Sequence, residues 1–187
     1  SHEGSLGLAK SFIDNISRAG ADAVKFQMHY PEYESSKFEK FRKNFSIQDK
    51  TRYDYWNRTS FKISEWKKIK SYSEKKGLVF LCSPFSKRAV DILVDLNIAA
   101  WKIASGEFNN SLMLNYIKKK SNKPLILSTG LSTYSQIRKI LKQNKINKNF
   151  SILQCNSTYP TNISEVGHNL VDKLKRIFSC PVGISDH

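Results

Sequence analysis

The sequence predicts an α/β protein built as part of a (β/α)8 TIM barrel. Short β-type apolar runs alternate with amphipathic stretches, and from the second strand onward the strand starts recur about every 20–30 residues, the spacing of βα modules. Polar residues gather where these strands end, as barrel sites require. The strands are expected at Val24-Lys25-Phe26-Gln27, Leu78-Val79-Phe80-Leu81-Cys82, Trp101-Lys102-Ile103-Ala104, Leu125-Ile126-Leu127, Ile152-Leu153-Gln154-Cys155 and Val182-Gly183-Ile184. Leu8, Phe12, Ile13 and Ile16 mark the first helix, and Trp66, Ile69 and Tyr72 the second, with Ser64 as its cap. Ala89, Val90, Leu93 and Val94 mark a third, Ile137, Ile140 and Leu141 a later one, and Leu170, Leu174 and Ile177 the last.

Tyr30 to Phe61, rich in charge and aromatics, is too long for an ordinary βα loop and reads as an active-site excursion. A helix follows Ser1-His2-Glu3-Gly4 almost at once, and the sequence stops at His187 just after a strand. Six strands do not close an eight-stranded barrel. The expectation is therefore that residues 1–187 form a partial barrel domain of a longer protein, whose first and last strands lie outside them.

The 187 residues carry 31 Lys and Arg against 16 Asp and Glu, with 40% hydrophobic content, enough for a real core and against intrinsic disorder. Without a leader pattern or an apolar run near the roughly 20 residues of a spanning helix, a soluble, cytoplasmic protein is expected, away from membranes. The pI of about 9.7 invites a nucleic-acid reading. Against it, the lysines read as scattered, and the tight run Lys118-Lys119-Lys120 falls where a helix should end and cations suit its dipole. Cys82, Cys155 and Cys180, an odd set lacking C-x-x-C spacing, read as buried reduced thiols.

The strand ends carry Lys25 and Gln27, Ser83, Lys102 with Ser105 and Glu107, Ser128 and Thr129, Asn156 with Ser157 and Tyr159, then Ser185, Asp186 and His187. Repeated hydroxyls with two lysines describe a site for a small anion, most simply a phosphate, and Gly106 and Gly130 permit close backbone approach. A lysine inside an apolar strand is costly to bury against helices, so Lys25 and Lys102 should face the barrel mouth. Lys102 could instead be the desolvated amine of a Schiff-base aldolase, though two lysines amid several hydroxyls suit phosphate better. His187 reads as a metal ligand or general base. Glu3 is either a carboxylate at a strand mouth or an acid favouring a helix dipole. His29 and His168 fit surface or loop positions.

Ser1-His2-Glu3-Gly4-Ser5, Ala19-Gly20-Ala21-Asp22-Ala23-Val24-Lys25-Phe26-Gln27, Ser83-Pro84-Phe85-Ser86, Trp101-Lys102-Ile103-Ala104-Ser105-Gly106-Glu107, Leu127-Ser128-Thr129-Gly130, Tyr159-Pro160-Thr161 and Gly183-Ile184-Ser185-Asp186-His187 together resemble the bacterial sialic acid synthase family. The likeness runs through essentially the whole chain in family order, with Tyr30 to Phe61 poorly matched. It implies condensation of phosphoenolpyruvate with an N-acylated hexosamine of the N-acetylmannosamine type, giving a nine-carbon sialic acid and phosphate. It also implies a divalent cation, manganese or magnesium, a barrel followed by a small antifreeze-like domain, and a homodimeric parent. By motif, Lys25, Lys102, Ser105, Ser128 and Ser185 fall where the family holds phosphoenolpyruvate, His187 on a metal ligand, and Glu3, Gln27 and Tyr159 on the sugar. Ser83 and Ser157 stand where Thr and Asn occur in some members. Glu3 or Glu107 could move a proton. Relatives that make legionaminic or pseudaminic acid are the near alternative, and a basic binding module the non-enzyme one.

Overall fold

The computed structural model describes residues 2–41, 46–130, 132–156, 158 and 160–186. The chain divides into two compact units, Ser1–Ala99 and Ala100–His187.

In the first unit, helix α1 (Leu6–Arg18) leads to strand β1 (Ala23–Met28), followed by the short helix α2 (Pro31–Glu34), α3 (Arg52–Thr59), α4 (Ile63–Lys75), β2 (Val79–Pro84) and α5 (Lys87–Asp95). The two strands are parallel, with Ala23 opposite Val79 and Met28 opposite Pro84. Alternation gives each strand two distinct faces. Val24, Phe26 and Met28 are buried, while Lys25 and Gln27 point the other way and are exposed. Behind the buried face, Phe26 meets Trp66 edge-on at 6.0 Å and stacks on Phe80 at 5.9 Å, and Phe61 packs against Trp66 at 5.2 Å. Each buried aromatic ring contributes about 2–3 kcal/mol through lost water contact, the main force fixing α4 on this strand pair.

Two expectations for this unit are corrected. α4 starts one residue before Ser64, and the cap contact is the Glu65 carboxylate accepting the Lys62 backbone N–H at 2.8 Å; Ser64 lies inside the first turn. In α1 the buried residues are Ala9 and Ile13, whereas Leu8 and Phe12 are 46% and 43% exposed. Phe12 and Ile16 instead line a cavity of about 470 Å³ that is walled by residues from both faces of β1, Val24 and Phe26 as well as Lys25 and Gln27. Residues from both faces meet only around a strand's edge, so this cavity runs along the side of β1 away from β2.

In the second unit the repeat is regular: β3 (Trp101–Ile103), a 3-10 turn (Ser105–Glu107), α6 (Ser111–Lys120), β4 (Leu125–Ser128), α7 (Tyr134–Gln143), β5 (Phe150–Cys155), α8 (His168–Phe178) and β6 (Val182–Ser185). All four strands are parallel and pair in sequence order, Lys102 opposite Ile126, Ser128 opposite Leu153, and Cys155 opposite Ser185. Local chemistry starts two of this unit's helices. Asn110 accepts the Met113 N–H at 3.0 Å for α6, and Thr133 with Gln136 forms a reciprocal capping box for α7. Trp101, Ile103, Leu125, Leu127 and Ile152, all buried, form the face covered by helices. The six strands thus fall within two residues of their expected places, and α6 ends on Lys118-Lys119-Lys120 as anticipated.

Candidate functional site

In the second unit alternation alone gathers the candidate residues. The registers place Lys102, Ser128, Cys155 and Ser185 on one face, turned away from Trp101 and Ile103. Lys102 is only 6% exposed; its Nζ donates to Ser128 Oγ at 2.7 Å and to the Ile103 carbonyl at 3.3 Å. A lysine ammonium is seldom buried this deeply, because losing its hydration costs several kcal/mol. Ser105 opens the turn after β3, and Gly130 follows β4 in a left-handed conformation, φ +51°. A Cβ at Gly130 would lie 2.6 Å from Ser105 Cβ, so these two strand ends approach as closely as they do because residue 130 is glycine. Glu107 is half-buried and accepts a hydrogen bond from Asn110 Nδ2 at 2.8 Å, which also fixes the start of α6. Thr129 is tied to the Leu153 carbonyl through its N–H at 3.2 Å and its hydroxyl at 3.3 Å.

In the first unit, Lys25 and Gln27 share their face of the strand pair with Ser83, which lies opposite Gln27. Burial lowers the Lys25 pKa below the ordinary lysine value, although the side chain still reaches solvent. Ser83 is completely buried, and its hydroxyl makes no hydrogen bond. Cys82 faces the opposite way and burial pushes its thiol up, so it stays an inert protonated side chain. All three cysteines are free, as expected.

Sequence reasoning missed the groups that organise the excursion. His29, expected on a surface or in a loop, is packed between two rings, Trp56 at 4.6 Å and Phe85 at 4.1 Å, with the Glu34 carboxylate 2.7 Å from its Nδ1. The Arg52 guanidinium lies 4.3 Å above the outer side of Trp56 and pairs with Glu39 at 2.6 Å. Ser60 Oγ donates to the His29 carbonyl at 2.8 Å and closes the excursion onto the end of β1. Arg58 holds Asp49 through both carboxylate oxygens at 2.7–3.1 Å and reaches Glu3 at 2.9 Å. The density of charge and aromatic residues was the available signal; which of them pair is set in three dimensions.

Ser157, Tyr159 and His187 lie outside the described residues. Among the described residues no group of three or more His, Cys, Asp and Glu side chains could hold a metal ion.

The lysines and arginines are scattered as expected, but the carboxylates are not. Residues 108–164 contain nine Lys and Arg and no Asp or Glu, so nine of the fifteen excess charges lie in that stretch. Lys118, Lys123, Lys145 and Lys148 line a polar cavity of about 460 Å³ near the starts of β4 and β5, opposite the strand ends that carry Lys102 and Ser128. Lys118 is spent within the fold: its Nζ donates to the carbonyls of Asn144 and Lys145, neutralising the end of α7. No helix among the described residues is long and apolar enough to cross a membrane.

Comparison with known proteins places this geometry in context. The NeuB family profile matches residues 12–187. An N,N'-diacetyllegionaminic acid synthase of Campylobacter jejuni is 33% identical over the whole chain and 58% of its own length. A pseudaminic acid synthase of the same organism is 34% identical over the whole chain and 55% of its own length. The crystal structure of an N-acetylneuraminic acid synthetase from Leptospira borgpetersenii in complex with citrate superimposes over the whole chain and 61% of its own, with TM-score 0.83 and 28% identity. The chain spans about half the length of the curated relatives it matches.

Proposed function

The chain belongs to the NeuB family, and we propose that the protein carrying it condenses phosphoenolpyruvate with an N-acylated hexosamine to form a sialic acid and phosphate. The observation that carries this reading is Lys102, an ammonium held at 6% exposure with a serine hydroxyl 2.7 Å away at the end of a parallel strand. A cation kept in that setting repays its desolvation when an anion arrives, and attracts it more strongly than it would in water.

In this reading Lys102, Ser128, Ser105 and Ser185 hold the phosphate and carboxylate of phosphoenolpyruvate, and Lys25 adds a second positive charge. Glu3 and Gln27 bind the hydroxyls of the sugar, joined by Tyr159. The methylene carbon of phosphoenolpyruvate forms a bond to the carbonyl carbon of the open-chain sugar, whose oxygen takes up a proton. Water adds at the carbon bearing the phosphate, and C–O cleavage releases inorganic phosphate and leaves the keto acid. Glu107 and Glu3 are the candidate proton carriers. The lysines stabilise the charge of the departing phosphate, which is the greater part of what protein groups need to supply. A divalent cation, manganese or magnesium, belongs to the proposal with His187 as its ligand from this chain; a chelator should stop turnover and added metal restore it.

The sugar is open among N-acetylmannosamine and the precursors of legionaminic and pseudaminic acid, since relatives named as legionaminic acid, N-acetylneuraminate-9-phosphate and pseudaminic acid synthases are all similar to the chain. We place the working unit in a longer, homodimeric cytoplasmic protein with a small C-terminal domain. The cavity along β1 offers a further parallel strand both a hydrogen-bonding edge and an apolar floor. The test is phosphate release by the full-length protein, expected only when phosphoenolpyruvate, one of these sugars and a divalent metal are all supplied. Borohydride trapping of substrate on Lys102 would instead establish the aldolase.

A further inference from the structure

The barrel repeat does not need residues 30–61, yet this excursion ends on a side chain that grips a proposed sugar ligand. Glu3 adopts φ +51°, a left-handed conformation that a residue with a Cβ takes only when its surroundings fix it. Gly4 follows at φ +75°, and a Cβ there would lie 2.5 Å from the Arg58 carbonyl oxygen. The last turn of α3 is therefore pressed against the Glu3-Gly4 turn. From the other side His2 accepts the Gly4 N–H at 3.1 Å and packs at a tilt against Phe61, ring centres 4.6 Å apart.

Onto this fixed turn the guanidinium of Arg58 reaches out, Nη2 lying 2.9 Å from Glu3 Oε2. Arg58 is itself anchored: Nε and Nη2 donate to both oxygens of Asp49, which is 6% exposed and accepts the Ser46 hydroxyl at 2.6 Å, and the guanidinium lies over the Tyr55 ring at 5.5 Å. The bidentate grip leaves the arginine little freedom. An acid serving only the dipole of α1 would need no such partner. We propose that Arg58 is the positioning residue for Glu3, that it aims the carboxylate and keeps it ionised to accept hydrogen bonds from sugar hydroxyls, and that holding Arg58 in place is what the excursion does. For the identity of the ligand this rests on the synthase reading; for the pairing and its effect on Glu3 it does not.

Among the described residues, the charged and titratable groups around Glu3 include Arg58 and Asp49 from the excursion and His2 from its own turn, the last lowered by burial below the ordinary imidazole value. Losing Arg58 removes the cation of this set that directly contacts the carboxylate, so the Glu3 pKa should rise. The test uses the full-length protein with ¹³C-labelled glutamate carboxyls, the Glu3 signal being identified by its loss in Glu3→Gln. In Arg58→Gln the Glu3 midpoint should rise by about half a pH unit or more, and in Arg58→Lys by less. An unchanged midpoint in folded Arg58→Gln overturns the proposal whatever the enzyme makes. Where the wild type turns over, Arg58→Gln should raise KM for the sugar about tenfold and leave KM for phosphoenolpyruvate nearly alone. Adding it to Glu3→Gln should cost little more, and full additivity would also count against the assignment. If Arg58→Gln fails to fold, Arg58→Lys carries the same comparison, because a monodentate ammonium keeps the charge and loses the aim. Absence of phosphate release by the wild type sinks the synthase reading and leaves the titration to decide the role of Arg58.

Discussion

The two units set a lysine in a strand in opposite ways. In the second, Lys102 is buried on a regular βα repeat and held by the next strand's Ser128. In the first, Lys25 reaches solvent, and the neighbouring groups depend on ion pairs and stacked rings carried by an insertion, Arg58 with Asp49 and Glu3, His29 with Glu34, Trp56 and Phe85. Hydrogen-bonded register is enough to fix a side chain within a sheet. A group outside the sheet needs partners of opposite charge or a ring to lie on, because no ladder limits its freedom.

That contrast is most open to attack at the lysines. Lys102→Ala in the full-length enzyme should reduce phosphate release by about 1000-fold or more, whereas Lys25→Ala should cost about tenfold less than that, since water already screens part of its charge. Equal losses in steady-state kinetics would erase the distinction. Ser128→Ala comes next. A hydrogen bond to a charged group is worth about 1.5–3 kcal/mol, so kcat/KM for phosphoenolpyruvate should fall about 10- to 100-fold.

Gly130→Ala tests the close approach in the second unit. The left-handed backbone and the 2.6 Å contact with Ser105 should together lower stability by about 2 kcal/mol, read from urea unfolding. For Lys25 the sign follows from its lowered pKa. Between that value and the unfolded value of about 10.4 the unfolded chain binds more protons, so stability rises with pH across this window, and the cost of the partly buried cation is fully present below it. Lys25→Met should therefore be slightly more stable than wild type at pH 7, by less than about 1 kcal/mol because the side chain reaches water, and the gain should vanish above the window. The smallest effect belongs to the corrected cap: Ser64→Ala should change stability by no more than about 0.5 kcal/mol, and Glu65→Ala by about 1 kcal/mol. Reversal of these two in thermal unfolding would return the cap to Ser64.

Legibility in the sequence follows the same division. Short apolar runs located all six strands, and alternation turned Lys25 and Lys102 away from the helix-covered faces, because the period of a strand is a property of neighbours in sequence. Glycine marked Gly130 for the same local reason. The excursion escaped, since its contacts join residues such as Glu3 and Arg58 that are far apart in sequence and lack any period. His29 lies in a loop as expected, but its ring contacts escaped, because an imidazole stacked on two rings leaves the same mark in a sequence as one in water. The even spread of lysines was legible; the local excess of charge between residues 108 and 164 comes from missing carboxylates, which a search for runs of cations does not reveal.

The acid-free stretch from Phe108 to Ser164 has a consequence for how the protein meets acid. Asp49 and Asp14 in the first unit are held below the usual carboxylate range by Arg58 and Lys76, and stability contributed by such groups is present above the unfolded value and lost as pH falls through the folded one. Residues 108–164 have no side-chain carboxylate to protonate, so mild acid withdraws nothing from them by this route. Hydrogen exchange followed from pH 6 down to pH 3 should therefore show protection failing first around α3 and the Glu3 turn, with β4 and α7 the last to yield.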